Sequence, residues 1–372
     1  MPRTKRPATV TCFTDLTITQ TQALVAGLGE PGYRAKQLQH WVYQRLAVTF
    51  DEMTDLPKAF RRRLAQQVRL HTLTPTHEVS GQDGTIKTLF TLNDSRTIES
   101  ALMSYPTPRG RRRYTVCLSS QVGCPIGCPF CATGQQGFER NLTAGEIIDQ
   151  VLYFARRLRD QSDKVGADSN EPASHIGNLV FMGMGEPLLN YDAVLQAIGM
   201  LNSPQGFGLG ARSMIISTAG LIPQIKRLSQ EKLQIGLAVS LHASDDALRD
   251  QLVPINQKYP LRQLIAACRQ YCESSGRRIS FEYALFEGIN DSVGHARSLA
   301  ELLAGLNCHV NLIPSNLIGN PAYRPPTRAT TLAFQRELVR LGVACTLRQR
   351  RGLDIDAGCG QLRSRLAKTM QT

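Results

Sequence analysis

Long apolar runs are missing from this chain. No segment of its 372 residues approaches the roughly 20 consecutive apolar positions of a membrane-crossing helix. The opening MPRTKRPATVTCF has no hydrophobic stretch of the secretory kind, so a cytoplasmic protein without a membrane role is expected. No tandem repeat or long low-complexity tract interrupts the sequence. A dinucleotide fingerprint is lacking too, because the glycine-rich GFGLG at 206–210 precedes a strand pattern instead of following one. Acidic residues are scarce relative to basic ones, 30 against 43, which leaves a net charge of +13. Such an excess favours a polyanionic partner, nucleic acid first.

The composition, 42% hydrophobic and 20% charged, supports one large domain with a smaller one and a core that needs no covalent staples. Ten cysteines are present. In a reducing compartment they argue against a disulfide framework and towards metal binding or catalysis wherever they cluster.

Residues 15–72 read as helical, with Leu38, Trp41, Val42 and Leu46 at helical spacing and a basic end at Arg61, Arg62 and Arg63. We assign 1–75 to a helical accessory domain that binds RNA. A connector over 76–110 contains HEVSGQDGTIKTLF, where Asp83 and Gly84 form a hairpin turn between two strand-like runs. From Tyr114 onward, short apolar strands (YTVCLS, NLVFMG, SMIIST, IGLAVSL, ISFEYAL, HVNLIP and a last ACTLRQ) alternate with amphipathic helices. One helix spans 143–159, with a capping box of Thr143 and Glu146, and the polar 160–175 follows as a surface loop. The alternation implies an α/β fold with a parallel sheet, either open and doubly wound or a partial barrel, over 111–350. The remaining 351–372 form a C-terminal loop and tail. In either architecture chemistry collects beyond the carboxyl ends of the strands, where the sequence places the cysteines, then MGEPL, STAG, SLHAS and PSNLIGN.

Cys124, Cys128 and Cys131 have the spacing C-x-x-x-C-x-x-C. Three thiolates on one short loop hold three irons of a [4Fe–4S] cluster and leave the fourth iron open, whereas a zinc knot needs a fourth ligand, here Cys117 or His242. Phe130 beside the last thiol would shield a cluster. Cys359 in DIDAGCG, preceded by RQRRG, belongs to an exposed electropositive loop, where a thiolate is favoured. Cys268 and Cys272 sit four apart on an apolar helical face and read as packing.

The cysteine motif after the first strand of a βα series resembles the radical S-adenosylmethionine superfamily. The matches GYRAKQLQHWVY, DGTIKTLF, SSQVGC, ATGQQGFERNL, MGMGEPLLN, SLHA, VPINQKY, NLIPSN and RRGLDIDAGCGQL make the chain similar to the RlmN family, the adenine-C2 methyltransferases of 23S ribosomal RNA and tRNA. The resemblance implies a partial (βα)6 barrel and one [4Fe–4S] cluster per chain. It implies two S-adenosylmethionine molecules consumed per turnover, and an electron donor such as flavodoxin or ferredoxin. No obligate protein partner is inferred.

By resemblance, Gly185 and Glu186 meet the methionine end of the cofactor, and Ser217, Ser240, Leu241, His242 and Asn316 line the rest of its pocket. Cys359 carries a methyl group, Cys117 resolves the RNA adduct through a transient disulfide with Cys359, and Glu99 accepts a proton. Gly358 stands where the resemblance implies alanine, which would loosen the loop. The segment PTPRGRRR is longer than the expected link to the cysteine strand, which would shift the match of Glu99. Arg61–Arg63, Arg109–Arg113, Arg156 with Arg157, and Arg348 with Arg350 and Arg351 are the candidate phosphate contacts. Two alternatives stay open: an adenine-C8 methyltransferase of the same superfamily, from which RRGLDID points away, and a non-catalytic zinc-bearing RNA-binding protein.

Overall fold

Ten strands follow one another across a single mixed sheet in the order in which the chain makes them. The computed structural model describes residues 11–107, 112–165, 175–316 and 320–362. Strands β1 (Leu73–Ser80), β2 (Ile86–Leu92) and β3 (Thr97–Pro106) run antiparallel to their neighbours. They lead into β4 (Arg112–Cys117), from which β5 (Ile176–Phe181), β6 (Met214–Thr218), β7 (Gly236–Ser240), β8 (Ile279–Leu285), β9 (Cys308–Pro314) and β10 (Cys345–Leu347) continue in parallel. The sheet stays open at both ends, as a partial barrel. The hairpin read from Asp83 and Gly84 is thus no separate layer: its strands belong to the same sheet and join β4 through β3.

At the front, α1 (Ile18–Gly27), α2 (Tyr33–Gln39) and α3 (Lys58–Gln67) form the helical region, and a short helix α4 (Ala132–Gln135) follows the cysteine loop. The parallel strands are joined by α5 (Ala144–Val165), α6 (Tyr191–Asn202), α7 (Ile222–Leu228), α8 (Asp246–Leu252) with α9 (Leu261–Ser275), α10 (Val293–Leu302) and α11 (Arg328–Arg340). α5 begins where its sequence caps it: Thr143 Oγ1 accepts from Glu146 N at 3.1 Å, and Glu146 Oε2 accepts from Thr143 N at 2.9 Å. It runs six residues beyond the expected end at 159, into the polar stretch read as loop. Polar residues continue the exposed side of a helix as readily as they fill a loop, so the polar run carried no stop signal. Residues 166–174 of that stretch lie outside the described residues.

The inward stripe of α5, Ile147, Val151, Phe154 and Leu158, is buried in the same core as Leu179, Phe181, Ile216 and Val239 of the strands. Among the described residues, no helix is long and apolar enough to cross a membrane.

The helical region is fastened to the barrel by buried polar contacts. Asp149 on α5 accepts from Thr72 N at 2.5 Å and Thr72 Oγ1 at 2.7 Å, with His71 Nδ1 at 3.2 Å. Asp15 accepts from Gly145 N at 2.7 Å, at the start of the same helix. A pairing of Thr11–Cys12 with Val68–Arg69, which no sequence pattern announced, closes the region on itself.

Replacing Asp149 by Ala leaves the Thr72 N–H and hydroxyl buried without an acceptor, a loss of about 3 kcal/mol. Urea titration should show a lower midpoint at unchanged slope; an unchanged midpoint would contradict this fastening.

Candidate functional site

Loop geometry gathers the site at the carboxyl ends of the parallel strands. After β4 the chain makes a short antiparallel ribbon, Gln121–Gly123 against Phe138–Asn141, which closes the cysteine loop at its base. Cys124 N donates to Gly137 O at 2.8 Å, and Cys131 N donates to Cys128 O at 3.1 Å. Gly123 and Gly134 are required for this compactness. A Cβ on Gly123 would lie 2.0 Å from Gly137 O, and one on Gly134 would lie 2.8 Å from Cys128 O.

One cavity is lined by Cys124, Cys128, Cys131, Gly185, Glu186, Ser217, Ser240, His242, Asn316 and Cys359. Ten of the thirteen residues expected at the site therefore meet in one place. Leu241 is buried behind it and serves through its backbone: its N–H donates to Glu282 O at 3.0 Å and its carbonyl accepts from Arg249 Nε at 3.1 Å. Cys117 lines an adjoining cavity, shared with Cys359, Asn316 and Arg348.

Glu99 is fully buried, not exposed at a strand end, and its carboxylate is 3.9 Å from Lys87 Nζ. Pro106 pairs with Arg112 and Ala101 with Cys117, so β3 and β4 stay in register; residues 108–111 of the longer link lie outside the described residues. With Glu99 two positions from Ala101, the register puts Glu99 and Cys117 on one face of the sheet.

Burial dominates the electrostatics. Cys124 and Cys117 are pushed up to about 12, Cys117 also by the neighbouring Cys359. Cys128 is raised well above the ordinary thiol by burial and then by Cys131 and Cys124, which makes the three thiols mutual neighbours. Among the described residues, however, no three His, Cys, Asp or Glu side chains converge on a single-ion site.

Glu186 is raised to about 7 by burial, against the pull of bonds from Ala219 N at 2.7 Å and Leu188 N at 3.1 Å. Each of its oxygens takes one of these N–H groups, leaving acceptor directions for a ligand ammonium. Asn316 Oδ1 is buried without a partner beside the same cavity, an acceptor waiting for a donor.

Sequence reasoning missed several residues that build this site. Arg249 is completely buried and donates to Leu241 O, Ser240 O, Ala219 O and Asn256 Oδ1, tying together the turns after β6 and β7. Glu282 faces the cavity from β8 and holds Arg348 at 3.6 Å. Phe130 does more than shield: it packs on His242, Phe286 and Tyr323 at ring separations of 5.0, 5.0 and 6.2 Å. No motif marks these partners, because they come together only when α8 and the ends of several strands are folded against one another.

The basic runs are less free than their charge suggested. Arg61 donates to Asp51 O at 2.6 Å, Arg63 pairs with Glu30 at 2.5 Å, Arg157 pairs with Glu78 at 3.2 Å, and Arg348 turns into the cavity. Arg62 and Arg350 remain exposed, and Arg109–Arg111 lie outside the described residues. All ten cysteines are free thiols, so the Cys117–Cys359 disulfide is not a standing feature of the fold.

Known proteins share this architecture and its sequence. Residues 12–70 match the family model described as the ribosomal RNA large subunit methyltransferase N-terminal domain. The probable dual-specificity RNA methyltransferase RlmN of Heliobacterium modesticaldum is 47% identical over 92% of this chain and 86% of its own. That of Thermosynechococcus vestitus is 47% identical over 92% and 96%. A crystal structure of a radical SAM methyltransferase from Sphaerobacter thermophilus superposes with a TM-score of 0.89 at 47% identity, covering 95% of this chain and 99% of that one.

The chain belongs to the RlmN family. Membership implies S-adenosylmethionine and a [4Fe–4S] cluster, and the cavity fits both, with three thiols along one wall and Glu186 and the unpaired Asn316 carbonyl as acceptors near them. A Cβ at Gly358 would lie 2.4 Å from Asn316 Nδ2, and that amide donates to Cys359 O at 3.2 Å.

His242 holds a left-handed backbone (φ 60°), and its Nδ1 accepts from Ala284 N at 2.9 Å. Burial, then the Arg249 charge, lowers it from 6.5 to about 3. Between these values the unfolded chain binds a proton that the folded one refuses. Stability from this residue is intact above pH 6.5 and falls by ~1.4 kcal/mol per pH unit on acidification towards pH 3. His242→Gln, which keeps an acceptor, should flatten that slope by one proton in urea melts across the window; an unaltered slope would refute the buried neutral imidazole.

Proposed function

We propose that this chain is a radical S-adenosylmethionine enzyme that methylates C2 of an adenosine in 23S ribosomal RNA and in tRNA. The observation that carries the reading is the single cavity in which three thiols, Glu186 and Cys359 face one another, with Cys117 next door.

Cys124, Cys128 and Cys131 would hold the cluster, and Glu186 would take the ammonium of the cofactor. Bound there, cluster and cofactor would supply a methyl group and, on one-electron reduction by a flavodoxin- or ferredoxin-type donor, a carbon-centred radical. C2 of adenine lies between two ring nitrogens and is too electron-poor to attack a sulfonium methyl itself, so a protein thiol must take that methyl first.

Cys359 does so. Its Sγ–C bond forms as the sulfonium C–S bond breaks, the electron pair leaves on the departing thioether, and the thiol proton passes to solvent. Cys359 is exposed and near the cationic Arg348, whose guanidinium is raised first by Cys359. The carbon-centred radical would take a hydrogen atom from the carried methyl, leaving an S–CH2 radical that adds to C2. To restore the aromatic ring, the adduct's extra electron would return to the cluster, oxidised when it gave its own, and the C2 proton would pass to Glu99.

Chain and RNA are then joined through a methylene group, which Cys117 releases. Its thiolate attacks Cys359 Sγ, the S–C bond breaks with its pair on carbon, and that carbon takes a proton to become the methyl product. The disulfide formed is transient. The adenine must leave its stack to reach this depth. Tyr105, flanked by the guanidinium carbons of Arg351 and Arg113 at 5.1 and 5.4 Å, stands in the adjoining cavity as a surface for it.

Two variants test the sequence of events. Cys359→Ala should abolish C2-methyladenosine in mass analysis of the RNA. Cys117→Ala should still methylate Cys359 but accumulate protein covalently bound to RNA. Normal methylation by Cys359→Ala would overturn the carrier role.

A further inference from the structure

The hairpin turn between β1 and β2 lies against the loop that carries Cys359, although the two are more than 260 residues apart in sequence. Asp83 Oδ2 accepts from Gly352 N at 2.9 Å and lies 3.8 Å from Arg351 Nη1. In return Asp354 Oδ2 accepts from Gln82 N at 2.8 Å. One turn further into the hairpin, Lys87 Nζ, buried and paired with Glu99, donates to Asp356 O at 3.1 Å.

The backbone at these contacts is fitted to the turn. A Cβ on Gly352 (φ 59°) would lie 2.6 Å from Ala357 Cβ and 3.1 Å from Thr85 Cγ2, and one on Gly81 would lie 2.8 Å from Asp354 Oδ1. Asp356 itself holds φ 50°, a left-handed conformation uncommon outside glycine, and its carbonyl is the one Lys87 takes. Lys87 therefore rewards a kink that the loop would otherwise avoid. On the far side of the loop, Gly360 O accepts from Ala132 N at 2.8 Å, just after the last of the three clustered cysteines.

We propose that the Gly81–Thr85 turn and Lys87 form a clamp that sets the direction of Cys359, with Asp83, Asp354 and Lys87 as positioning residues for its methylation. The inference rests on the carrier role of Cys359 proposed above. A cysteine that must first meet a sulfonium methyl and later an adenine needs a loop held firmly enough to aim and lightly enough to move. Two surface hydrogen bonds and one ion pair, backed by a single buried lysine, provide such a hold. Because the hairpin is part of the main sheet, the loop is referred to the same rigid body as the cysteine strand β4.

The test uses the reconstituted enzyme without RNA and follows two quantities. The first is amide hydrogen exchange in peptides containing Gln82 and Gly352; the second is the rate at which the peptide containing Cys359 gains a methyl group. In Asp83→Ala/Asp354→Ala, exchange should speed and methyl loading should slow, each roughly tenfold. S-adenosylmethionine affinity and the urea midpoint should hold near wild type. Asp354→Asn, which keeps an acceptor for Gln82 N–H, should restore loading towards wild type in the presence of Asp83.

Loading at the wild-type rate in the double variant would overturn the clamp, whatever its exchange. Should the double variant fold poorly, Asp354→Ala alone, an exposed change on the loop itself, gives the same comparison with Asp354→Asn. If Cys359 of the wild type never gains a methyl, the carrier role fails instead, and the wild-type control separates the two failures.

Discussion

The buried guanidinium of Arg249 is the constraint on which the rest of the cavity depends, because four acceptors from two strand-end turns and a neighbouring loop all converge on it. Strand ends are where a parallel sheet places its ligand contacts, but they are also where the ladder stops satisfying backbone carbonyls. The carbonyls of Ala219, Ser240 and Leu241 would each need water or a ligand. Arg249 satisfies them from inside the protein, so the cavity wall formed by Ser217, Ser240 and Glu186 stands on a floor that does not depend on solvent. The cation has a second effect. It opposes the rise of the Cys128 thiol, and so partly offsets the burial that resists making a thiolate there.

Much of this was legible in the sequence because it is local. A strand followed by a polar turn is recognisable within ten residues, and every strand expected after Tyr114 is present within two or three positions. The three cysteines, GEP and the Cys359 loop each sit at such a turn, so a correct count of strands brought them to one mouth. Glu282 and Asn316 gain their meaning from Arg348 and Cys359, tens of residues away. Arg249 bears no motif, and only the placing of α8 against two strand-end turns makes it central. Hairpin strands likewise looked like a connector, since no pattern in HEVSGQDGTIKTLF reveals which third strand they join.

Charge was the least faithful guide. A net excess of 13 positive charges suggests a surface free to meet phosphates, yet several of the basic groups are consumed in holding the molecule together. Arg157 ties α5 to the outermost strand through Glu78, and Arg351 ties the Cys359 loop to Asp83. Runs of arginine are read from sequence as if each faced water, whereas a side chain with five donors is also the best available means of fastening loops. Fewer arginines are therefore free to meet a phosphate than the sequence runs suggest.

Gly358 shows why a glycine before Cys359 need not mean a free loop. A glycine raises the entropy of the chain where nothing else constrains it. Here the space a Cβ would take is used by the Asn316 amide, whose Nδ2 would be only 2.4 Å from that atom and which donates to Cys359 O. The same side chain keeps its carbonyl buried and unpaired at the cavity. One residue just past β9 thus touches both the cavity and the backbone of the Cys359 loop, and the absence of a Cβ at 358 is what leaves room for it there.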